Sequence, residues 1–198
     1  MNRLKSIGAL LFTVTLLQAQ SHPFQSWGFD AELLTYGGSF GGIWHLDLNP
    51  NWALSLESNW TLVESGTSYE YYDRYTGRLY KLNNQNLSML KAMGGVSVYP
   101  FAGDLDPSFQ FGFYGGFGPI LAMDTDNNSF DLARWRHVRG YPSIYGKLAM
   151  EFKVHQSRTG TYLLRVGYDF TQFRARIDGK QVYQGIFLQF GMEFPRFK

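Results

Sequence analysis

The sequence predicts an all-β fold, an eight-stranded antiparallel up-and-down transmembrane β-barrel. Three observations carry that prediction. The first is a strict two-residue alternation between residues 144 and 172. Ile144, Gly146, Leu148, Met150, Phe152 and Val154 fall on one face, while Tyr145, Lys147, Ala149, Glu151 and Lys153 fall on the other. After a polar connector, Gln156 to Gly160, Tyr162, Leu164, Val166, Tyr168 and Phe170 continue the apolar set opposite Leu163, Arg165, Gly167, Asp169 and Thr171. Strand side chains alternate faces, so this is a long hairpin with one apolar and one charged surface. Arms of about ten residues with an aromatic-rich apolar face match strands that cross a bilayer. The second observation is an N-terminal export segment, and the third is the ordering of the connections by length.

Arg3 and Lys5 precede an apolar run of eleven residues, Ile7 to Leu17, followed by Leu-Gln-Ala-Gln at 17–20. A run this short does not cross a membrane as a helix, which needs about 20 residues. It reads as a signal peptide over residues 1–19, leaving one barrel domain over 20–198. Its removal lowers Lys plus Arg from 18 to 16, equal to the 16 Asp plus Glu, so the mature chain is formally neutral. The whole-chain pI of 8.7 therefore announces no nucleic-acid partner. No later stretch is apolar for the 18 residues that a spanning helix requires. Cysteine is absent, which excludes a lipid-modified cysteine, disulfides and thiolate metal sites. The 17 Phe, 13 Tyr, 5 Trp and 22 Gly suit close-packed strands with interfacial aromatic belts.

Taken in order, the first strand covers roughly 27–36, with Trp27, Phe29, Ala31 and Leu33 outward and Gly28, Asp30 and Glu32 inward; Gly37-Gly38 then reads as its turn. The second, 39–48, has Phe40, Gly42, Trp44, Leu46 and Leu48 against Ile43, His45 and Asp47. Asn49-Pro50-Asn51 leads to the third, 52–63, with Trp52, Leu54, Leu56, Ser58, Trp60 and Leu62 outward and Ser55, Glu57, Asn59 and Thr61 inward. Residues 64–86 read as a long, tyrosine-rich connection. The fourth strand, 87–99, places Leu90, Ala92, Gly94, Val96 and Val98 outward and Lys91 inward, and 100–107 is a turn. The fifth, 108–122, sets Phe109, Phe111, Phe113 and Phe117 against Gln110, Gly112, Tyr114 and Gly116. A second long loop covers 123–142. The hairpin arms, 144–154 and 161–173, are the sixth and seventh strands, and Asp178-Gly179 marks a turn. The eighth, 183–194, has Ile186, Leu188, Phe190, Met192 and Phe194 outward and Gln189 and Glu193 inward. Connections after strands two, four and six are short, and those after three and five are long. Short turns on one side and long loops on the other are the pattern of such a barrel.

This chain resembles the small eight-stranded outer-membrane β-barrels of the OmpX and OmpA-transmembrane-domain kind, over roughly residues 27–194. Tyr183, Gly185, Leu188, Phe190, Met192 and Phe194 also resemble the C-terminal strand signal read by barrel-assembly machinery, although Pro195-Arg196-Phe197-Lys198 follow. The resemblance implies residence in the outer membrane of a Gram-negative-type envelope. The implied partners are outer-membrane lipid and lipopolysaccharide, the assembly machinery during biogenesis, and an outer-membrane protein complex. It implies no cofactor.

The inward positions collect Asp30, Glu32, His45, Asp47, Glu57, Lys91, Lys147, Glu151, Lys153, Arg165, Asp169 and Glu193. In a narrow barrel, side chains fill the lumen, and buried charges must pair or meet water. A structural salt-bridge and water network is the favoured reading, ahead of a gated or narrow polar pore. His45, Asp47, Ser55 and Glu57 share a face on adjacent strands, so a hydrolase-like set can be drawn, but only geometry decides that. No His-x-Ser pair stands on a lipid-facing strand, as PagL-like lipid A deacylases would show. No catalytic residue is therefore assigned.

Tyr71, Tyr72 and Arg74 in the 64–86 connection, and Arg134, Trp135 and Arg136 in the 123–142 loop, are candidate external binding residues. Aromatic and arginine side chains are enriched at binding hot spots, and arginine suits lipopolysaccharide phosphates; a solvated loop with interfacial aromatics is slightly favoured over both. Asp124, Asp126, Asn127 and Asn128 lack the Gly and distal Glu of a calcium loop, so no metal is expected. The function expected is non-enzymatic, in envelope structure, surface interaction or a membrane complex. The alternatives are a narrow pore or OmpW-like transport barrel, a lipid A-modifying enzyme, and a soluble calycin with its apolar face inside.

Overall fold

The computed structural model describes residues 24–63, 68–83, 86–106, 108–125, 138–156, 160–177 and 179–195. Ten strands occur among them: β1 (Phe24–Leu34), β2 (Gly37–Asn49), β3 (Trp52–Val63), β4 (Ser68–Asp73), β5 (Arg78–Asn83), β6 (Asn86–Val98), β7 (Phe109–Thr125), β8 (Arg139–Gln156), β9 (Gly160–Ile177) and β10 (Lys180–Pro195). Eight form a closed barrel in the order β1-β10-β9-β8-β7-β6-β3-β2, all antiparallel between neighbours. Closure runs through β1 and β10, where Trp27 pairs with Phe194 and Leu33 with Leu188. Closure pairs every barrel strand with a neighbour on both sides, so the barrel itself has no open edge.

The structure corrects the sequence reading in four places. The connection at 64–86 is not irregular throughout, because β4 and β5 pair there as a separate two-stranded ribbon. Its register sets Glu70 opposite Lys81, Tyr71 opposite Tyr80 and Asp73 opposite Arg78. The first turn is Thr35-Tyr36 rather than Gly37-Gly38, which belong to β2. Gly37 is still required there: its φ is +154° and an added Cβ would run into the Leu62 carbonyl. The strands β7, β8, β9 and β10 also extend further toward the long-loop end than the apolar pattern did. That pattern stops where the outer face turns polar, whereas backbone pairing continues. Finally, the interior is not polar along its whole height.

The outer face carries the apolar set of every barrel strand. Phe29 is 62% exposed, Leu148 64% and Phe117 75%, whereas inward Arg165, Glu151 and Asp169 are 0% exposed. The polarity is inverted relative to a water-soluble barrel, which rules out the calycin arrangement. Inside, the loop end is closed by an apolar cluster that includes Leu34, Val63, Leu87, Met89, Phe173 and Ile177. The ionic residues lie beneath it, toward the short turns and the two chain ends.

Candidate functional site

The ionic interior is organised by register. Glu32 on β1 is level with Gln189 on β10, Gln189 with Arg165 on β9, and Arg165 with Glu151 on β8. These four side chains therefore stand side by side on the inner wall. Arg165 Nε donates to Glu151 Oε2, and its Nη1 reaches across the lumen to donate to Glu57 Oε1 on β3. The Nη2 atom lies 3.3 Å from His45 Nε2, and the guanidinium lies 3.7 Å from the centroid of the Tyr114 ring. A planar fork with five donors can serve several acceptors at once, which explains arginine at the centre.

Lys147 forms a second hub. Its Nζ donates to Glu32 Oε1, to Gln189 Oε1 at 2.9 Å and to Glu57 Oε2 at 3.4 Å. Gln189 Nε2 donates to Asp30 Oδ2, and Asn59 Nδ2 donates to Asp30 Oδ1 at 2.9 Å. Carboxylate oxygens of Asp30, Glu32 and Glu57 thus lie within 4.8 Å of one another. This is the one three-carboxylate grouping among the described residues, and the Lys147 ammonium stands among its carboxylates. The cluster is thereby compensated by the protein's own cations.

Two further groups flank these hubs. Toward the loop end, the Tyr36 hydroxyl donates to Asp169 Oδ2, and the Tyr145 hydroxyl reaches the same oxygen at 3.1 Å. Lys91 sits beside them, 4.3 Å from the Tyr145 ring centroid and 3.7 Å from Glu32 Oε2. Toward the short turns, Glu193 Oε1 lies 2.8 Å from His45 Nδ1, Ser26 Oγ donates to Glu193 Oε2 at 2.8 Å, and Lys153 Nζ is 3.9 Å from that oxygen. Tyr99 donates to Glu151 Oε1 and its ring centroid lies 5.5 Å from Lys153 Nζ, joining this group to the Arg165 hub.

Eleven of the twelve lumen residues named from the sequence are thus brought into one connected arrangement. The twelfth, Asp47, is half-buried near the short-turn end and makes no ion pair among the described residues. Periodicity did not single out Tyr36, Tyr99, Tyr145, Asn59 or Gln189 as partners; Tyr145, Asn59 and Gln189 fall on inward positions of their strands, whereas Tyr36 lies in a turn and Tyr99 just beyond β6. Both His45 nitrogens are directed at Glu193 and Arg165, so His45, Asp47, Ser55 and Glu57 do not assemble into a Ser–His–acid chain. Buried as Ser55 and Glu57 are, that set also lacks access for a substrate.

Of the external candidates, Tyr72 and Arg74 are exposed at the end of the β4–β5 ribbon. Asp73 organises that end: its carboxylate accepts from Tyr75 N–H at 2.9 Å and from Thr76 Oγ1 at 2.8 Å, and Tyr75 stands fully exposed. Tyr71 is placed within β4, while Arg134, Trp135, Arg136 and the signal segment lie outside the described residues.

The chain matches no protein-family model, and no curated protein sequence matches it. Several solved structures are similar in outline. Ail of Yersinia pestis, solved alone and with the heparin analogue sucrose octasulfate, shares 9% identity at a TM-score of 0.45, covering 86% of this chain and 96% of Ail. The N-terminal β-barrel domain of Pseudomonas aeruginosa OprF shares 14% identity at a TM-score of 0.42, covering 87% and 97%. A major outer membrane protein of Thermus thermophilus shares 9% identity at a TM-score of 0.47, covering 86% and 99%. The chain's own strand order, eight antiparallel strands closed on one another, is that of a small β-barrel.

Proposed function

We propose that this chain is an integral outer-membrane barrel with a closed lumen, acting without catalysis in envelope structure, surface contact or a membrane complex. The observation that carries this reading is the inversion of polarity. An apolar aromatic exterior encloses fully buried ion pairs, and that combination is stable when the surroundings are hydrocarbon. The surface available for specific contact is then the loop end, where the β4–β5 ribbon presents Tyr72, Arg74 and Tyr75.

A constitutive pore is disfavoured by the same geometry. Arg165, Lys147, Gln189 and His45 are each less than 2% exposed, and the apolar cluster seals the lumen above them. Passage of ions would require the Arg165 and Lys147 hubs to release their carboxylates.

The test is gel mobility of the envelope-fraction protein, boiled against unboiled in SDS, followed by reconstitution in a planar bilayer. A mobility shift with detergent-dependent extraction and no conductance steps is the expected result. Regular unitary steps would establish the transport reading instead, and a change in lipid A mass on expression would establish an enzyme. A freely soluble protein without a shift would remove the membrane reading altogether.

A further inference from the structure

On the outer face of β9, the residue type changes abruptly along the strand. Tyr162, Leu164, Val166, Tyr168 and Phe170 are followed at the next outward positions by Gln172, Arg174 and Arg176. On neighbouring β10, Ile186, opposite Tyr168, gives way to Gln184, opposite Phe170, one outward position lower, and Val182, opposite Gln172, is the last exposed apolar residue there. On the membrane reading, the switch along β9 sets the hydrocarbon boundary there. Arg174 stands four residues beyond Phe170, which at about 3.3 Å per residue and a tilt near 40° is roughly 10 Å above the last apolar ring. Such a height falls in the headgroup layer.

The register is broken at this place. Val182 pairs with Gln172 and Lys180 with Ile177, so five steps along β9 face two along β10. The surplus residues form a bulge whose two ends are fixed inside the barrel. Phe173 and Ile177 are 2% and 1% exposed, Phe173 packs edge-on against Tyr183 at 5.9 Å, and the Tyr183 hydroxyl donates to the Ile177 carbonyl at 2.7 Å. Between these anchors Arg174, Ala175 and Arg176 are exposed, with Lys180 exposed alongside. Bulges re-aim side chains, and this one turns two arginines outward on a pinned segment. Arg174, Arg176 and Lys180 form no ion pair among the described residues, and the exposed neighbours Gln172, Gln181, Val182 and Gln184 carry no charge.

We infer that the β9 bulge, through Arg174, Arg176 and Lys180, is a binding site for the phosphate groups of an outer-leaflet phosphoglycolipid. Arginine forks pair with phosphate oxygens through charge-assisted bonds, and the apolar rings of Tyr168 and Phe170, with Ile186, directly beneath would pack against the same lipid's acyl chains. A soluble phosphate would use the cations but not the rings. The site rests on the membrane reading above and specifies one lipid contact within it.

The test measures the thermal midpoint of the folded gel band in detergent, titrated with bisphosphorylated lipid A, dephosphorylated lipid A or inorganic pyrophosphate. The proteins are wild type, R174Q/R176Q/K180Q and R174K/R176K, each first checked for the boiled-against-unboiled mobility shift. The three side chains are exposed, so their replacement leaves the barrel folded. Bisphosphorylated lipid A should raise the wild-type midpoint, and its apparent affinity should fall about tenfold or more in the glutamine variant, the scale of losing one or two charge-assisted contacts. The lysine variant should fall between them, and dephosphorylated lipid A should not separate the three. Equal affinity of wild type and glutamine variant, or no wild-type response, overturns the site. Pyrophosphate binding as tightly as lipid A overturns the lipid assignment. Failure of the wild type to fractionate with membranes is a separate readout, and it would count against the membrane reading itself.

Discussion

The guanidinium of Arg165 lies 3.7 Å from the ring centroid of Tyr114, and that ring rests on Gly95 and Gly116, which face each other across β6 and β7. A Cβ at either glycine would overlap the tyrosine ring. The stack from glycine floor through ring to cation fixes the height and orientation of the central arginine. Gly95→Ala and Gly116→Ala should each destabilise the barrel by about 1–3 kcal/mol, the usual cost of overpacking. The urea midpoint of the folded band in detergent measures this. Tyr114→Ala should also destabilise, by cavity formation, while Gly95→Ala in a Tyr114→Ala background should lose most of its effect.

Arg165 is the counter-ion shared by Glu57 and Glu151. Arg165→Met leaves both carboxylates buried without it, and breaking a buried pair costs about 3–5 kcal/mol. Arg165→Lys should recover only part of the loss, because one ammonium cannot reproduce the fork. The combined E57Q/E151Q/R165M change should cost less than Arg165→Met alone. Denaturant unfolding of the four proteins checks the order, and a triple variant less stable than the single one would contradict this account of the hub.

Leu148 faces outward on β8 while its neighbours Lys147 and Ala149 face inward. Leu148→Arg at mid-bilayer should cost roughly 2–4 kcal/mol, and the same change near either interface should cost about 0–1 kcal/mol. The yield of folded, membrane-extracted protein reads this out. Unchanged assembly of Leu148→Arg would mean that the faces are reversed.

Two carboxylates outside the spanning segments report on the loops. Asp106 is held below its ordinary range by hydrogen bonds from the Ser108 hydroxyl and then the Ser108 N–H. Asp73 is held low by the Tyr75 N–H and then the Thr76 hydroxyl. A depressed folded pKa means that each carboxylate supports its turn above the unfolded Asp value and loses that support as pH falls through the folded one. Carboxyl titration by NMR should place both midpoints below the ordinary Asp value. Ser108→Ala should raise the Asp106 midpoint and leave that of Asp73 unchanged. Proteolysis within the β4–β5 ribbon should quicken in Asp73→Ala, since the turn loses both hydrogen bonds.

Which face of each barrel strand meets lipid is written in the order of the residues. Period two assigns every side chain to one of two surfaces, and Leu148, Phe117 and Arg165 needed no coordinates to be placed. The number of barrel strands and the alternation of short and long connections are legible in the same way, because turn residues interrupt that period visibly. Partnership inside the lumen is a product of closure. Glu57 and Arg165 stand 108 positions apart, and Lys147 and Glu32 stand 115 apart. Closure of β1 on β10 brings such residues to one height, and strand tilt then selects which of them meet across the lumen. Neither the stagger nor the tilt is encoded in alternation. The same is true of the apolar seal: period two puts Tyr36 and Phe173 on the inward side, but Ile177 belongs to a strand extension and Tyr36 to a turn, and only closure packs them into one cluster. The β9 bulge is a matter of register between two strands, and register is a property of the pair.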